Sequence, residues 1–121
     1  MIDGWGGEDL RNDAIPSAFT VSGTWPDGAL AADAPIGAHY GRHVAQILKR
    51  EMDQRGLSQR GLAELSGVHH NTVGRVLRGD VYPDLATLAR LETALNVSDL
   101  YPTGLHQRIQ QSPNSGPARP A

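Results

Sequence analysis

The run from Gln59 to Arg78, QRGLAELSGVHHNTVGRVLR, constrains this chain more than any other stretch. It holds two apolar patterns of helical period separated by a break. Leu62, Ala63 and Leu65 belong to the first; Val73, Val76 and Leu77 belong to the second. That spacing predicts two short amphipathic helices. Gly67 and Val68 lie between them, where a small residue lets the chain turn and the helices cross steeply. Ala63 falls where the helices would touch, and a larger side chain there would push them apart. The outward positions of the second helix are His70, Asn71, Thr72, Gly74, Arg75 and Arg78. They are hydrogen-bonding or cationic, with no acid among them. Such a face suits a polar, negatively charged partner.

The segment resembles the helix-turn-helix of the phage lambda repressor and Cro (Xre-type) family. The resemblance rests on Gln59 opening the first helix, the Leu62-Ala63 pair, Gly67 in the turn, Thr72-Val73 followed by Arg75 and Val76, and the closing Leu77-Arg78-Gly79. It continues through Tyr82-Pro83-Asp84-Leu85-Ala86-Thr87-Leu88 to Leu91, Ala94, Leu95 and Val97, covering residues 38 to 102. It implies an all-α, compact five-helix domain that binds double-stranded DNA in the major groove as a transcriptional repressor. In the resembled family the glutamine at the position of Gln59 grips a phosphate, and a helix N-terminus adds oriented amides and a favourable dipole. His70, Asn71, Thr72 and Arg75 are then the candidates for reading bases. Asparagine pairs in two-pronged fashion with adenine, and arginine with guanine. Asn71 and Arg75 are four residues apart and so share a face. Gln59, Arg60, His69 and Arg78 are the candidates for phosphate. Set against these roles are an ordinary exposed glutamine and a merely solvated polar helix face.

Two features depart from good helix sequence. His69 stands in the N-cap region, where Ser or Thr is commoner, so a weak cap is expected, offset by an imidazole contact to phosphate. Gly61 and Gly74 each cost up to about 1 kcal/mol relative to alanine. Gly74 either lets the backbone approach DNA closely or is a tolerated weakness. Adjacent His69 and His70 are not expected to bind metal, since neighbouring helical side chains diverge and no third ligand is evident.

A chain of 121 residues accommodates one modest domain with tails. The absence of cysteine excludes disulfides and thiolate metal sites and suits a reducing cytoplasm. No apolar run is long enough to span a membrane, and the N-terminus lacks the pattern of a signal peptide. The net charge of −2 argues against a nucleic-acid binder until its distribution is considered. Residues 1–37 carry six acids and one base, whereas residues 38–102 carry eight bases and seven acids. Around the motif, Arg60, Arg75 and Arg78 face Glu64 alone, so the local balance is positive.

Three regions follow: an acidic, largely irregular N-terminal extension (1–37), the helix-turn-helix domain (38–102), and a disordered tail (103–121). Within the extension, residues 18–25 have strand-like composition. Trp5, Phe19 and Trp25 are the only Trp and Phe of the protein. They either fold back over the helices, pair with a second copy, or anchor a partner. The first domain helix is expected from His39 to Arg55, with a stripe of Val44, Ile47, Leu48 and Met52. Gly56 suits a left-handed stop, Ser58 an N-cap, Asp84 the cap of a helix carrying Leu85, Leu88, Leu91 and Leu95, and Asn96 its left-handed end. A last short turn is expected at Ser98 to Tyr101.

No phosphate-cradling glycine loop, cysteine nucleophile or strained serine supports catalysis, and no cofactor is required. The expected assembly is a homodimer on an inverted-repeat operator. Two alternatives stay open: an antitoxin whose extension binds a toxin while the helix-turn-helix autoregulates the operon, and a phage immunity or excision-control protein.

Overall fold

The computed structural model describes residues 14–110. The expectations for Trp5 and for residues 111–121 lie outside these residues. Five α-helices dominate the described part: α1 (Ile36–Arg55), α2 (Gln59–Ser66), α3 (His70–Arg78), α4 (Leu85–Leu95) and α5 (Leu105–Gln110). They follow a 3₁₀ turn, Pro16–Phe19, and two short strands, β1 (Thr20–Ser22) and β2 (Ala29–Leu30).

The helix ends are set by local chemistry, as the sequence predicts. Gly56 ends α1 in the left-handed conformation, φ 66°, where a Cβ would be strained. The Ser58 hydroxyl accepts the Gly61 amide at 2.9 Å, and an Asp84 carboxylate oxygen accepts that of Thr87 at 2.8 Å. That hydrogen bond holds the Asp84 carboxyl below its usual value. Asn96 ends α4 at φ 52°. α1 begins at Ile36, earlier than the expected His39, with Pro35 before it; proline fixes the extended entry and withholds no amide that the first turn needs.

The core is one cluster. Val44, Ile47, Leu48 and Met52 of α1 meet Leu62 of α2, Val73 and Val76 of α3, and Leu88, Leu91 and Leu95 of α4, with Val68 and Leu100 closing gaps. Fully burying one such side chain is worth about 1.5–3 kcal/mol, so this cluster is the main source of stability. Two expected core residues are not in it. Leu65 is 55 % exposed and Leu85 is 77 % exposed. Both sit near helix termini, and Leu65 lines an open surface groove with Ala89 and Thr93 of α4.

The short turn expected at Ser98–Tyr101 is a series of bends around the buried Leu100, and the fifth helix, α5, follows at Leu105–Gln110, where none is expected from the sequence. It lies in the stretch read from sequence as the start of a disordered tail. A helix this short shows no period to detect, and what marks its place is tertiary: the Tyr40 hydroxyl lies 3.3 Å from His106 Nδ1, beside an edge-to-face contact of Tyr40 with Tyr101 at 5.5 Å.

The described part of the extension, from Ala14 onward, has little regular structure but lies against the helices. β1 and β2 pair antiparallel with Thr20 opposite Leu30 and Ser22 opposite Ala29, a register interrupted by an irregularity. The strand is therefore confined to Thr20–Ser22 within the stretch 18–25 read as strand-like. Pro16 is buried against α1, where a Cβ on Gly41 would lie 3.1 Å from its ring. Arg42 of α1 donates from Nε to the Gly28 carbonyl at 3.0 Å, and Gln46 donates to that of Pro26 at 3.1 Å. Tyr82 donates its hydroxyl proton to the Ala14 carbonyl at 2.9 Å.

Candidate nucleic-acid interface

The site is built on the crossing of α2 and α3. Gly67 ends α2 in the left-handed conformation, φ 78°, and the chain re-enters helix at His70. Val73 and Val76 turn inward and are fully buried. The opposite side of α3 presents Asn71, Arg75 and Arg78, all exposed, at spacings of four and three residues that align them in one stripe. His70 and Thr72 flank that stripe, each half-buried.

Gly74 is not at the outer surface, as an outward position of the second helix would be; it is buried. The Gln59 side chain lies across it. A Cβ on Gly74 would stand 2.8 Å from Gln59 Oε1 and 3.0 Å from Arg78 Nη1. The glycine thus lets the head of α2 close onto the middle of α3. Gln59 and Arg78, read separately from the sequence, come together over this one residue.

His69 makes a better cap than expected. Its Nδ1 accepts the Asn71 amide at 3.1 Å, the service a serine or threonine oxygen usually performs. To accept, Nδ1 must be free of a proton, which puts the hydrogen of the neutral ring on Nε2. The His69 and His70 rings stack at 4.5 Å with 24° between their planes, because His69, as the cap, is outside the helical backbone and its side chain does not follow the helical rotation. Partial desolvation, then Arg60 and His69, hold His70 below the usual imidazole value. His70 therefore faces solvent as a neutral ring near pH 7, able both to donate and to accept. Among the described residues no group of three His, Asp or Glu side chains is placed to hold a metal ion.

Arg78 donates from Nε to Asp80 Oδ2 at 3.0 Å. Asp80 was not singled out in the sequence, although it follows the helix by only two residues. Both side chains remain largely in solvent, so the pair is weak and its arginine is available to a stronger anion.

The C-terminal end of α3 is held by the extension. The Trp25 indole N–H donates to the Leu77 carbonyl at 3.0 Å, and the Ser17 amide donates to that of Gly79 at 3.0 Å. Gly79, at φ 74°, is so closely covered that a Cβ would lie 2.5 Å from the Trp25 ring and 2.8 Å from Ser17 Cβ. Of the three places open to the large aromatics, Trp25 takes the fold-back one.

No helix among the described residues is long and apolar enough to cross a membrane. No curated protein and no solved structure matches the chain. Residues 48–101 match the helix-turn-helix family model, a span that runs from the core residue Leu48 through α2, α3 and α4 to Tyr101. Over residues 48–101 the chain is accordingly similar to the lambda repressor/Cro-like (Xre-type) helix-turn-helix family of DNA-binding transcription regulators.

Proposed function

We propose that this regulator is a sequence-specific repressor that binds an inverted-repeat operator as a homodimer and blocks it by occupancy. α3 enters the major groove with Asn71 and Arg75 on base edges, His70 and Thr72 beside them, and Gln59, Arg60, His69 and Arg78 on the sugar–phosphate strands. The observation that carries this reading is the exposed stripe Asn71–Arg75–Arg78 on α3, with Gln59 laid across Gly74 at its side. Base-reading and phosphate-binding groups then share one surface. His69 fits its part because its cap hydrogen bond leaves Nε2–H as the free donor. A short recognition helix reads few base pairs, and two copies on one duplex approximately sum their binding free energies. Half-site centres about 10 bp apart, or a multiple, are therefore expected.

The antitoxin reading drew on large aromatics in an acidic extension. Trp25 is engaged within the protein, which leaves that reading with less to recommend it.

The test is selection of bound sequences from random duplex DNA, followed by affinities for the selected site and its single-base variants. Arg75→Ala should cost about 1–3 kcal/mol and relax preference at one base pair in each half-site. Gln59→Ala should weaken all sequences alike. Loss of affinity in Arg75→Ala with base preference intact would show that another face reads the DNA. Occupancy of a single asymmetric half-site by one monomer would rule out the dimer.

A further inference from the structure

The turn that seats Trp25 against α3 also brings an acid to the edge of this surface. Asp27 Oδ2 lies 4.0 Å from Lys49 Nζ of α1, with the two side chains 72 % and 55 % exposed respectively. The position of Asp27 is set by its own turn. Its carbonyl accepts from Arg42 Nη2 at 3.2 Å, the next carbonyl accepts from Arg42 Nε, and Gln46 Nε2 reaches Asp27 Oδ1 at 3.5 Å. Lys49 in turn lines a groove of about 270 Å³ together with Gln59 and Leu77. That groove joins α1 to the first turn of α2 and the last turn of α3.

We propose that Lys49 is a phosphate contact of the DNA-bound protein, and that Asp27 holds it in the free protein, so that duplex DNA displaces a carboxylate when it binds. The inference rests on the placement of Gln59 against a phosphate. A phosphate over the first turn of α2 lies at one wall of the groove, and Lys49 is at another. A lysine ammonium on its flexible stem can follow such a strand without fixed geometry. The other charges on this part of α1 are Arg50 and Asp53, of which Asp53 also lines the groove, and Glu51, which is paired with Arg55 at 3.1 Å. Asp27 is the acid that forms the ion pair. An exposed pair of this kind is weak enough for a polyanion to break. Once released, Asp27 takes up a cation from solution, which offsets one of the counterions that Lys49 sets free from DNA. The salt dependence of binding is therefore shallower than the number of phosphate contacts alone would make it.

The experiment measures affinity for random-sequence duplex over a range of salt, using the full chain, Asp27→Asn, Lys49→Gln and the double variant. Asp27→Asn should tighten binding about two- to fivefold, the range for an exposed ion pair, and steepen the salt slope. Lys49→Gln should weaken binding; it should lower the slope by about 0.9 in the Asp27→Asn background and by less in the wild type, where cation uptake by Asp27 already offsets the release. In the Lys49→Gln background, Asp27→Asn should change little. Equal tightening with and without Lys49 would mean that Asp27 merely repels DNA and would overturn the proposal, as would a slope that Lys49→Gln leaves unchanged in the Asp27→Asn background. Gln59→Ala, measured alongside, tests the underlying placement separately: it should lose affinity with its slope intact, and wild-type affinity in that variant would reject the phosphate role of Gln59.

Discussion

Gly74 has no side chain, yet it decides where two others lie. In the sequence it is a weak point in a helix; in the structure it is the floor beneath Gln59 and Arg78. The atoms a Cβ would meet are Gln59 Oε1 at 2.8 Å and Arg78 Nη1 at 3.0 Å, the far ends of flexible side chains that can swing away. Gly74→Ala should therefore leave the fold intact and raise stability by up to about 1 kcal/mol through helix propensity. It should also weaken binding to all DNA sequences, because it moves two proposed phosphate contacts off the surface of α3. Thermal unfolding and affinity for random duplex, measured on one preparation, check both signs. A fall in stability with DNA affinity unchanged would contradict this account of the glycine.

Among the elements, α3 stands apart because both of its ends are made by unusual partners. Its first turn is capped by an imidazole, and its last turn is held by an indole and a backbone amide from the extension. The weight of the second contact can be separated from that of the left-handed backbone. Gly56 and Gly79 have similar conformations, φ 66° and 74°, but a Cβ on Gly56 meets nothing within 4 Å, while one on Gly79 meets the Trp25 ring at 2.5 Å. Gly56→Ala should cost about 1–2 kcal/mol from the left-handed conformation. Gly79→Ala should cost roughly 1–3 kcal/mol more, from overlap with a ring that cannot move aside without breaking its hydrogen bond. Urea unfolding of the two variants measures the difference, and equal losses would mean that Trp25 is not seated there.

For the molecule as a whole, the question is what the acidic extension does. Read from the sequence, residues 1–37 either repel DNA or fold back on the helices, and the two outcomes differ in which property deletion would change. The described part from Ala14 onward reaches α1 through Arg42 and Gln46, α3 through Trp25 and Ser17, and Tyr82 through its first carbonyl. Deleting residues 1–35 should therefore lower the thermal unfolding temperature, since it strips cover from Gly79 and from the α1 face at Gly41. Removing the net negative charge of this segment should at the same time favour DNA, provided the measurement is made well below the new unfolding temperature. An unfolding temperature equal to that of the full chain would show that the extension does not brace the domain.

What could be read from the residues alone is local. The crossing of α2 and α3, the stops at Gly56 and Asn96, the caps at Ser58 and Asp84, and the inward stripes of Val44, Ile47, Leu48, Val73 and Val76 all depend on neighbours within about one helical turn. Each is a regular spacing or a residue type with one strong backbone preference, so the fold class and the stripe carrying Asn71 and Arg75 were legible. The His69 cap is equally local but escaped because an imidazole serves only as the tautomer with Nδ1 unprotonated, which no spacing reveals. The remaining features depend on distance in space rather than along the chain. Trp25 finds the Leu77 carbonyl across 52 residues. The same packing puts Asp27 beside Lys49 and Gln59 over Gly74, while His106, in a helix too short to show a period, lies near Tyr40. Residues so far apart carry no shared periodicity; only the packed core, by fixing where the helices end and which faces remain open, brings them to the same place.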